Sequence, residues 1–252
     1  MTQERRVAQG RRLTMPPYDA VVLAGGRSRR LGGVYKPGIG VGGRPMLHRV
    51  LDAVAGATRM VLVGPPVDRA RVDVVVCESP PGGGPAAAMA AGLAAVTAPV
   101  VGCFAADLPF LSAVAVDELR AELAARPAAA VALYVDGTGR DQVLAAVWRT
   151  AVLRDAVAAL AAARGGGLAG AAVRQLIAAA GLAARRTVSD SSGPPPWFDC
   201  DTEADLAEAR RWTAAPADWS GRSADRPGRS ADWPGRSADR PGRPSGRPGE
   251  DR

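Results

Sequence analysis

Two loops carry the residue types of a phosphate-binding site, and each follows a short apolar run. The first is LAGGRSRRLGG, from Leu23 to Gly33. Gly25 and Gly26 can take positive φ and turn backbone N–H groups inward as an anion-binding concavity, while Arg27, Arg29 and Arg30 add fixed positive charge. A polyphosphate suits such a loop. It is not a Walker A loop, since no GK[ST] follows, and it does not spell GxGxxG. A literal GxGxxG does occur from Gly38 to Gly43, but it follows Lys36 and Pro37 rather than a strand, and its spelling is taken as chance. The second loop, ESPPGGGPAAAMAAGL, starts at Glu78 and places Gly82, Gly83 and Gly84 before Pro85 and a helix-forming run. Free N–H groups and a positive dipole end there suit a flat base, a ribose or another phosphate.

Two charged residues complete the chemistry. Asp107, in FAADLPFL, ends a buried hydrophobic run; a carboxylate there, facing two phosphate loops, can hold Mg²⁺, which binds through one or two carboxylates plus substrate phosphates. A cap on the next turn is its plainer use. Lys36 is the sole lysine, against thirty-one arginines. Where arginine has replaced lysine elsewhere, a surviving lysine beside a phosphate loop points to a need for a compact ammonium. Histidine is equally scarce: His48 falls on a predicted helix and is given a structural role.

Positioning these residues requires strands with ligand loops at their carboxyl ends. Short β-branched runs alternate with Ala-rich stretches, the pattern of an α/β protein: a three-layer αβα, Rossmann-like domain with a mostly parallel sheet. Strands are predicted at Ala20–Leu23, Met60–Val63, Val74–Cys77, Val100–Ala105, Ala130–Val135 and Val143–Trp148. Helices are predicted at Met46–Ala55, Ala86–Val96, Val114–Ala125, Ala151–Ala163, Ala171–Ala180 and Glu203–Trp212. The expected folded unit is 17–213. Residues 1–16 form an expected disordered arm, and 214–252 a disordered tail whose GRSADRP-like units carry Gly and Pro in every repeat and little apolar content. Weak protein contact is the tail's alternative use.

The net charge of +7 lies mostly at the ends. Residues 1–18 hold four arginines and one glutamate, and residues 213–252 eight arginines and six acids, leaving 20 basic and 18 acidic groups in the body. No basic stripe with interleaved aromatics marks a nucleic-acid partner. Apolar stretches fall short of the ~20 residues of a membrane span. Cys77, Cys103 and Cys200 have no CxxC spacing, and no apolar signal core opens the chain, so a reducing cytoplasm is expected.

Taken in order, LAGGRSRRLGG with Lys36, PPGGGP, AADLPFL, GRDQVLAAVW and WFDCDTEADLAEAR resemble the molybdenum cofactor guanylyltransferases within the wider nucleotidyltransferase superfamily. The resemblance covers about residues 18–213. The family's opening pattern falls on Gly25, Gly26, Ser28, Arg30, Leu31 and Lys36; the aspartate usual before the lysine is Tyr35 here. The resemblance implies transfer of GMP from GTP to the phosphate of molybdopterin, with release of pyrophosphate and with Mg²⁺ as cofactor. It implies nucleotide contacts at Leu23, Ala24, Gly25, Gly26, Arg30, Lys36, Gly83, Gly84, Pro85 and Asp107, with Arg30, Lys36 and Asp107 catalytic. Acceptor contacts fall on Arg140 and Gln142, and metal ligands on Asp107 and Asp199, where two aspartates, Asp199 and Asp201, replace two asparagines of the family's late motif. Asp201 or Thr202 can also cap the following helix. Cytidylyl transfer, transfer to another phosphorylated acceptor, and a nucleotide-binding module impaired in catalysis remain as alternatives.

Overall fold

A strand that is apolar on both faces is stable only with helices on both sides. β1 (Tyr18–Leu23), β4 (Met60–Val63) and β6 (Val100–Ala105) are such strands, with every residue buried. The structure, a computed structural model, describes residues 15–25, 35–67, 72–79, 81–187 and 193–214. Between β1 and β4 lie the short strands β2 (Gly40–Val41) and β3 (Arg44–Pro45) and the helix α1 (Met46–Ala53). After β4 come β5 (Val74–Val76) and α2 (Pro85–Leu93); after β6 come α3 (Ala113–Ala125), β7 (Val131–Val135), β8 (Asp141–Arg149), α4 (Thr150–Ala163), α5 (Val173–Ala180), β9 (Ala183–Thr187) and α6 (Glu203–Ala214).

The main sheet has seven strands in the order β5-β4-β1-β6-β8-β7-β9. All run parallel except β8, which is antiparallel to both β6 and β7. This is the expected α/β three-layer, mostly parallel arrangement. One core, under α1 and α3, holds Leu51, Phe104 and Leu119. The other, under α2, α4 and α5, holds Val21, Met89 and Trp148. From β1 the chain builds outward to β4 and β5, then returns to the other side of β1 with β6. The carboxyl ends of β1 and β6 therefore sit side by side at the reversal of strand order, where open sheets bind ligands. The Ala106 N–H donates to the Leu23 carbonyl at 3.0 Å and ties the two ends together. Asp19, an acid inside an apolar strand, accepts the N–H groups of Thr97 and Ala98 at 2.6 and 2.9 Å and fixes the entry to β6.

A third, smaller core joins β2, α6 and the chain before α6 through Val41, Phe198, Leu206 and Ala209. The predicted strands and helices match to within a few residues at their ends. The structure adds β9, whose AARRT lacks an alternating apolar pattern, and the β2–β3 hairpin. That hairpin explains the literal GxGxxG: Gly42 and Gly43 take φ of 57° and 74° at the centre of a two-residue turn, a conformation that favours glycine at both positions. Residues 1–14 of the expected arm and 215–252 of the expected tail lie outside the described residues. Among the described residues no helix is long and apolar enough to cross a membrane.

α2 presses on the sheet at a glycine. A Cβ on Gly92 would stand 2.5 Å from Val21 Cγ1 and 2.9 Å from Val63 Cγ2. Gly92→Val should therefore destabilise the fold by about 1–3 kcal/mol through overpacking. Urea denaturation checks this as a lower midpoint at unchanged slope.

Candidate active site

A cleft of about 720 Å³ opens along the carboxyl ends of β1 and β6 and the start of β8. Lys36 enters it from a single 3-10 turn, Lys36–Gly38, with Pro37 at the first helical positions and buried. The Ile39 carbonyl accepts the Met46 N–H at 3.0 Å, which joins this turn to the start of α1. The Lys36 ammonium donates to Asp107 Oδ2 and to Asp201 Oδ1, the latter at 2.5 Å. Its side chain is 12% exposed, whereas that of Asp201 is 40% exposed. Burial works against the charged amine, but Asp107 first and then Asp201 outweigh it and hold Lys36 above the ordinary lysine range.

The strand end and the chain before α6 are tied directly, since the Cys200 N–H donates to the Asp107 carbonyl at 3.4 Å. Thr202 caps α6: its hydroxyl accepts the Asp205 N–H at 3.2 Å, and Asp205 accepts the Thr202 N–H at 2.8 Å. This is a reciprocal capping box, and it leaves Asp201 to the cleft. Asp199 lines the same cleft with its surface exposed. Burial, then the charges of Asp201 and Asp107, raise its carboxyl to about 6. Between them Cys200 is buried, and burial with Asp107 nearby pushes its thiol up to about 12, so it stays protonated.

Three carboxylates repelling one another around one ammonium mark a place that favours positive charge. Among the described residues no group of three or more His, Cys, Asp and Glu is gathered as a metal cage. The donors fit a cation that takes one or two carboxylates and completes its shell with water and phosphate, as Mg²⁺ does. On the glycine side, Gly82 and Gly84 adopt φ of 78° and 89°, and no side chain caps the start of α2 at Gly84. A helix start of this kind favours an anion or a polar ligand edge.

Residues 20–187 match the family model described as the MobA-like NTP transferase domain. The chain belongs to the MobA-like NTP transferase family. Nucleotidyl transfer is accordingly its chemistry. It is 36% identical over 162 residues to a molybdenum cofactor guanylyltransferase of Burkholderia orbicola, covering 58% of this chain and 78% of that protein. It is 34% identical over 202 residues to a protein of the same description from Acidiphilium cryptum, covering 76% and 94%. Among solved structures, the molybdopterin-guanine dinucleotide biosynthesis protein A of Archaeoglobus fulgidus shares the fold at TM-score 0.56 and 18% identity, over 77% of this chain and 97% of that one.

In this MobA-like transferase most of the expected residues reach the cleft. Leu23, Gly25 and Lys36 line it, as do Gly84, Pro85 and Asp107 on the adjacent walls. Arg140, Gln142 and Asp199 border it further along. Ala24 and Gly83 do not: Ala24 is buried with its N–H on the Val63 carbonyl, and the Gly83 carbonyl accepts the Gly170 N–H at 2.8 Å. Gly26, Ser28, Leu31 and the arginines at 27, 29 and 30 lie outside the described residues. His48, on α1, does not border the cleft. Gln142 is partly committed, because its amide donates to Asp136 Oδ2 at 2.8 Å and so braces the turn between β7 and β8. Tyr35 brings no charge. Its ring packs on Gly38, and its buried hydroxyl finds no hydrogen-bond partner among the described residues.

Among the charged and aromatic cleft residues, Glu78, Asp141, Arg174 and Trp197 went without an assigned role in the sequence, and Asp201 was offered only as a helix cap. Glu78 had a signal, an acid directly after a strand and before three glycines. Its Oε1 accepts the Gly82 N–H at 2.7 Å. Arg174 and Trp197 had none, since α5 and the loop before α6 reach the cleft only through tertiary packing.

Removing the ammonium should leave Asp107 and Asp201 facing each other uncompensated. Asp201 is partly solvated, so Lys36→Met should cost about 1 kcal/mol, or roughly 2–4 °C in Tm. The double variant Lys36→Met/Asp201→Asn should recover most of that loss in a thermal-melt cycle, and a strictly additive cycle would refute the coupling.

Proposed function

We propose that this protein transfers GMP from GTP to the terminal phosphate of molybdopterin, releasing pyrophosphate, with Mg²⁺ as cofactor and in the cytoplasm. The observation that carries this reading is the Lys36 ammonium held against Asp107 at the carboxyl end of β6, beside the glycine-bearing end of β1. The relatives described as molybdenum cofactor guanylyltransferases support the choice of base and acceptor.

The acceptor phosphate oxygen attacks the α-phosphorus of GTP, the bond from that phosphorus to the bridging oxygen breaks, and the electron pair leaves with pyrophosphate. Such in-line displacement asks the protein mainly for positioning and for charge neutralisation. Lys36 neutralises charge on the departing pyrophosphate, with Arg30 of the first loop assigned the same task. Leu23, Gly25 and the Gly84–Pro85 turn hold the nucleotide. Asp107, with Asp199 and Asp201 close by, would hold Mg²⁺, which would supply further neutralisation of the phosphates. Arg140 and Gln142 border the acceptor half.

Glu78 supports guanine over cytosine. Its Oε1 is engaged by Gly82, while its Oε2 lies on the Gly25 side of the cleft, 3.7 Å from where a Cβ on Gly25 would stand. A carboxylate accepts two adjacent donors of guanine, N1–H and N2–H, whereas cytosine offers it only the single N4 amino group beside ring acceptors.

Purified protein supplied with molybdopterin, Mg²⁺ and each nucleoside triphosphate in turn should release pyrophosphate with GTP alone. Release with CTP, or tight GTP binding without release, would overturn the reading. Asp107→Asn should abolish turnover nearly completely with Tm within a few degrees of wild type, because charge is lost without volume and Asp201 still pairs the Lys36 ammonium. Glu78→Gln can keep the Gly82 contact yet aims an amide donor at the base, and should raise the KM for GTP by about tenfold or more with little change in kcat.

A further inference from the structure

The chemistry above leaves the largest aromatic residue of the cleft without a task. Trp197 lines the cleft half-buried, and its indole lies against the Tyr134 ring with centroids 4.9 Å apart and planes tilted by 36°. Tyr134 is itself fully buried, and its hydroxyl donates to the Ala115 carbonyl at 2.9 Å, with Glu118 at 3.1 Å as the other partner. An aromatic ring backed by a second, anchored ring is a preorganised surface, and little entropy is lost when a ligand packs on it.

Strand order locates that surface. Along the carboxyl edge of the sheet, Glu78 follows β5, Gly25 follows β1 and Asp107 follows β6; β8 comes next, with Gln142 paired in register to Tyr134 of β7. Trp197, resting on Tyr134, therefore stands at the β8–β7 end of the cleft, across Asp107 from Glu78 and the glycine loops. Leu144 of β8 packs against the same core as Trp197, and Arg140, just before β8, lines the same cleft with a guanidinium that makes no hydrogen bond or ion pair among the described residues. A bare indole and an uncommitted guanidinium in one part of the cleft suit a ligand with a flat π-face and an anionic group.

We infer that Trp197 is a stacking platform that selects a phosphorylated flat heteroaromatic acceptor over a phosphorylated sugar. This rests on the proposed division of the cleft into nucleotide and acceptor halves. The Trp197 side chain would touch the acceptor ring and fix how far its phosphate reaches toward Asp107, so its effect falls on acceptor affinity rather than on GTP.

Hydroxymethylpterin monophosphate serves as the probe and ribose 5-phosphate as its sugar counterpart, both titrated with the nucleotide half filled by a non-hydrolysable GTP analogue. Wild-type protein should bind the pterin phosphate with quenching of indole fluorescence and bind the sugar phosphate far more weakly. Trp197→Leu should weaken pterin phosphate binding about 10–100-fold, the usual scale of a lost base–aromatic stack, with affinity for the GTP analogue unchanged. Trp197→Phe should keep affinity within a few-fold while most of the quenching disappears, a readout available even if the leucine variant does not fold. Equal binding of the two phosphates by wild type, or unchanged pterin phosphate affinity in Trp197→Leu, would overturn the inference. Stacking on Trp197 without any pyrophosphate release from GTP would instead overturn the proposed transfer and leave the platform standing.

Discussion

A single ammonium bridging two carboxylates organises this molecule. Lys36, Asp107 and Asp201 are separated by 71 and 165 residues in sequence, yet the amine touches both acids. Charges withdrawn from water persist only when paired with good geometry. Each partner is accordingly delivered by a rigid support: Asp107 by the end of a fully buried strand, Lys36 by a proline-led turn, and Asp201 by the residue before a capped helix. The small core of Val41, Phe198 and Leu206 binds the last two supports to each other, so the lysine turn and the acidic loop cannot separate without exposing apolar surface.

The location of the bridge follows from topology. Where strand order reverses between β1 and β6, no connection crosses the sheet edge, and a ligand can approach the backbone there. The antiparallel β8 then widens the cleft, because it presents its first residues rather than its last at that edge. The two halves that result differ in chemistry. The β5–β1 half offers glycine backbone and one carboxylate; the β8–β7 half offers an indole and a guanidinium unpaired among the described residues. An enzyme joining two phosphorylated molecules needs such asymmetry, since a site with like halves would accept the same ligand twice.

Much of this was legible in the sequence because local physics wrote it there. The runs at Ala20–Leu23, Met60–Val63 and Val100–Ala105 are apolar on both faces, which leaves little alternative to central parallel strands, and Asp107 follows such a run directly. What was hidden depended on long-range packing. β9 carries two arginines in five residues and is a strand only because β7 offers it an edge. Asp201 and Thr202 were equal candidates for the helix cap until Thr202 took that task, and Gln142 looked free until Asp136 engaged it. Trp197 was visible as a letter in an acidic motif, but no spacing rule could connect it to Tyr134, 63 positions earlier.

The same molecule shows why its one lysine was not exchanged for arginine. Arg185 forks a single carboxylate, donating to both oxygens of Asp141 at 2.7 and 2.9 Å, the geometry a planar guanidinium favours. Lys36 has a different task, since its two acids come from separate elements and approach from different directions. An ammonium donates along three rotatable directions and occupies little volume, so it can bridge them and can still turn toward a phosphate. A guanidinium in that place would favour bidentate pairing with one acid and leave the other uncompensated in a poorly solvated cleft. Thirty-one positions tolerate or prefer the fork. At this one, the partner is a pair of charges rather than a plane, and the residue that remains is the one whose charge is a point.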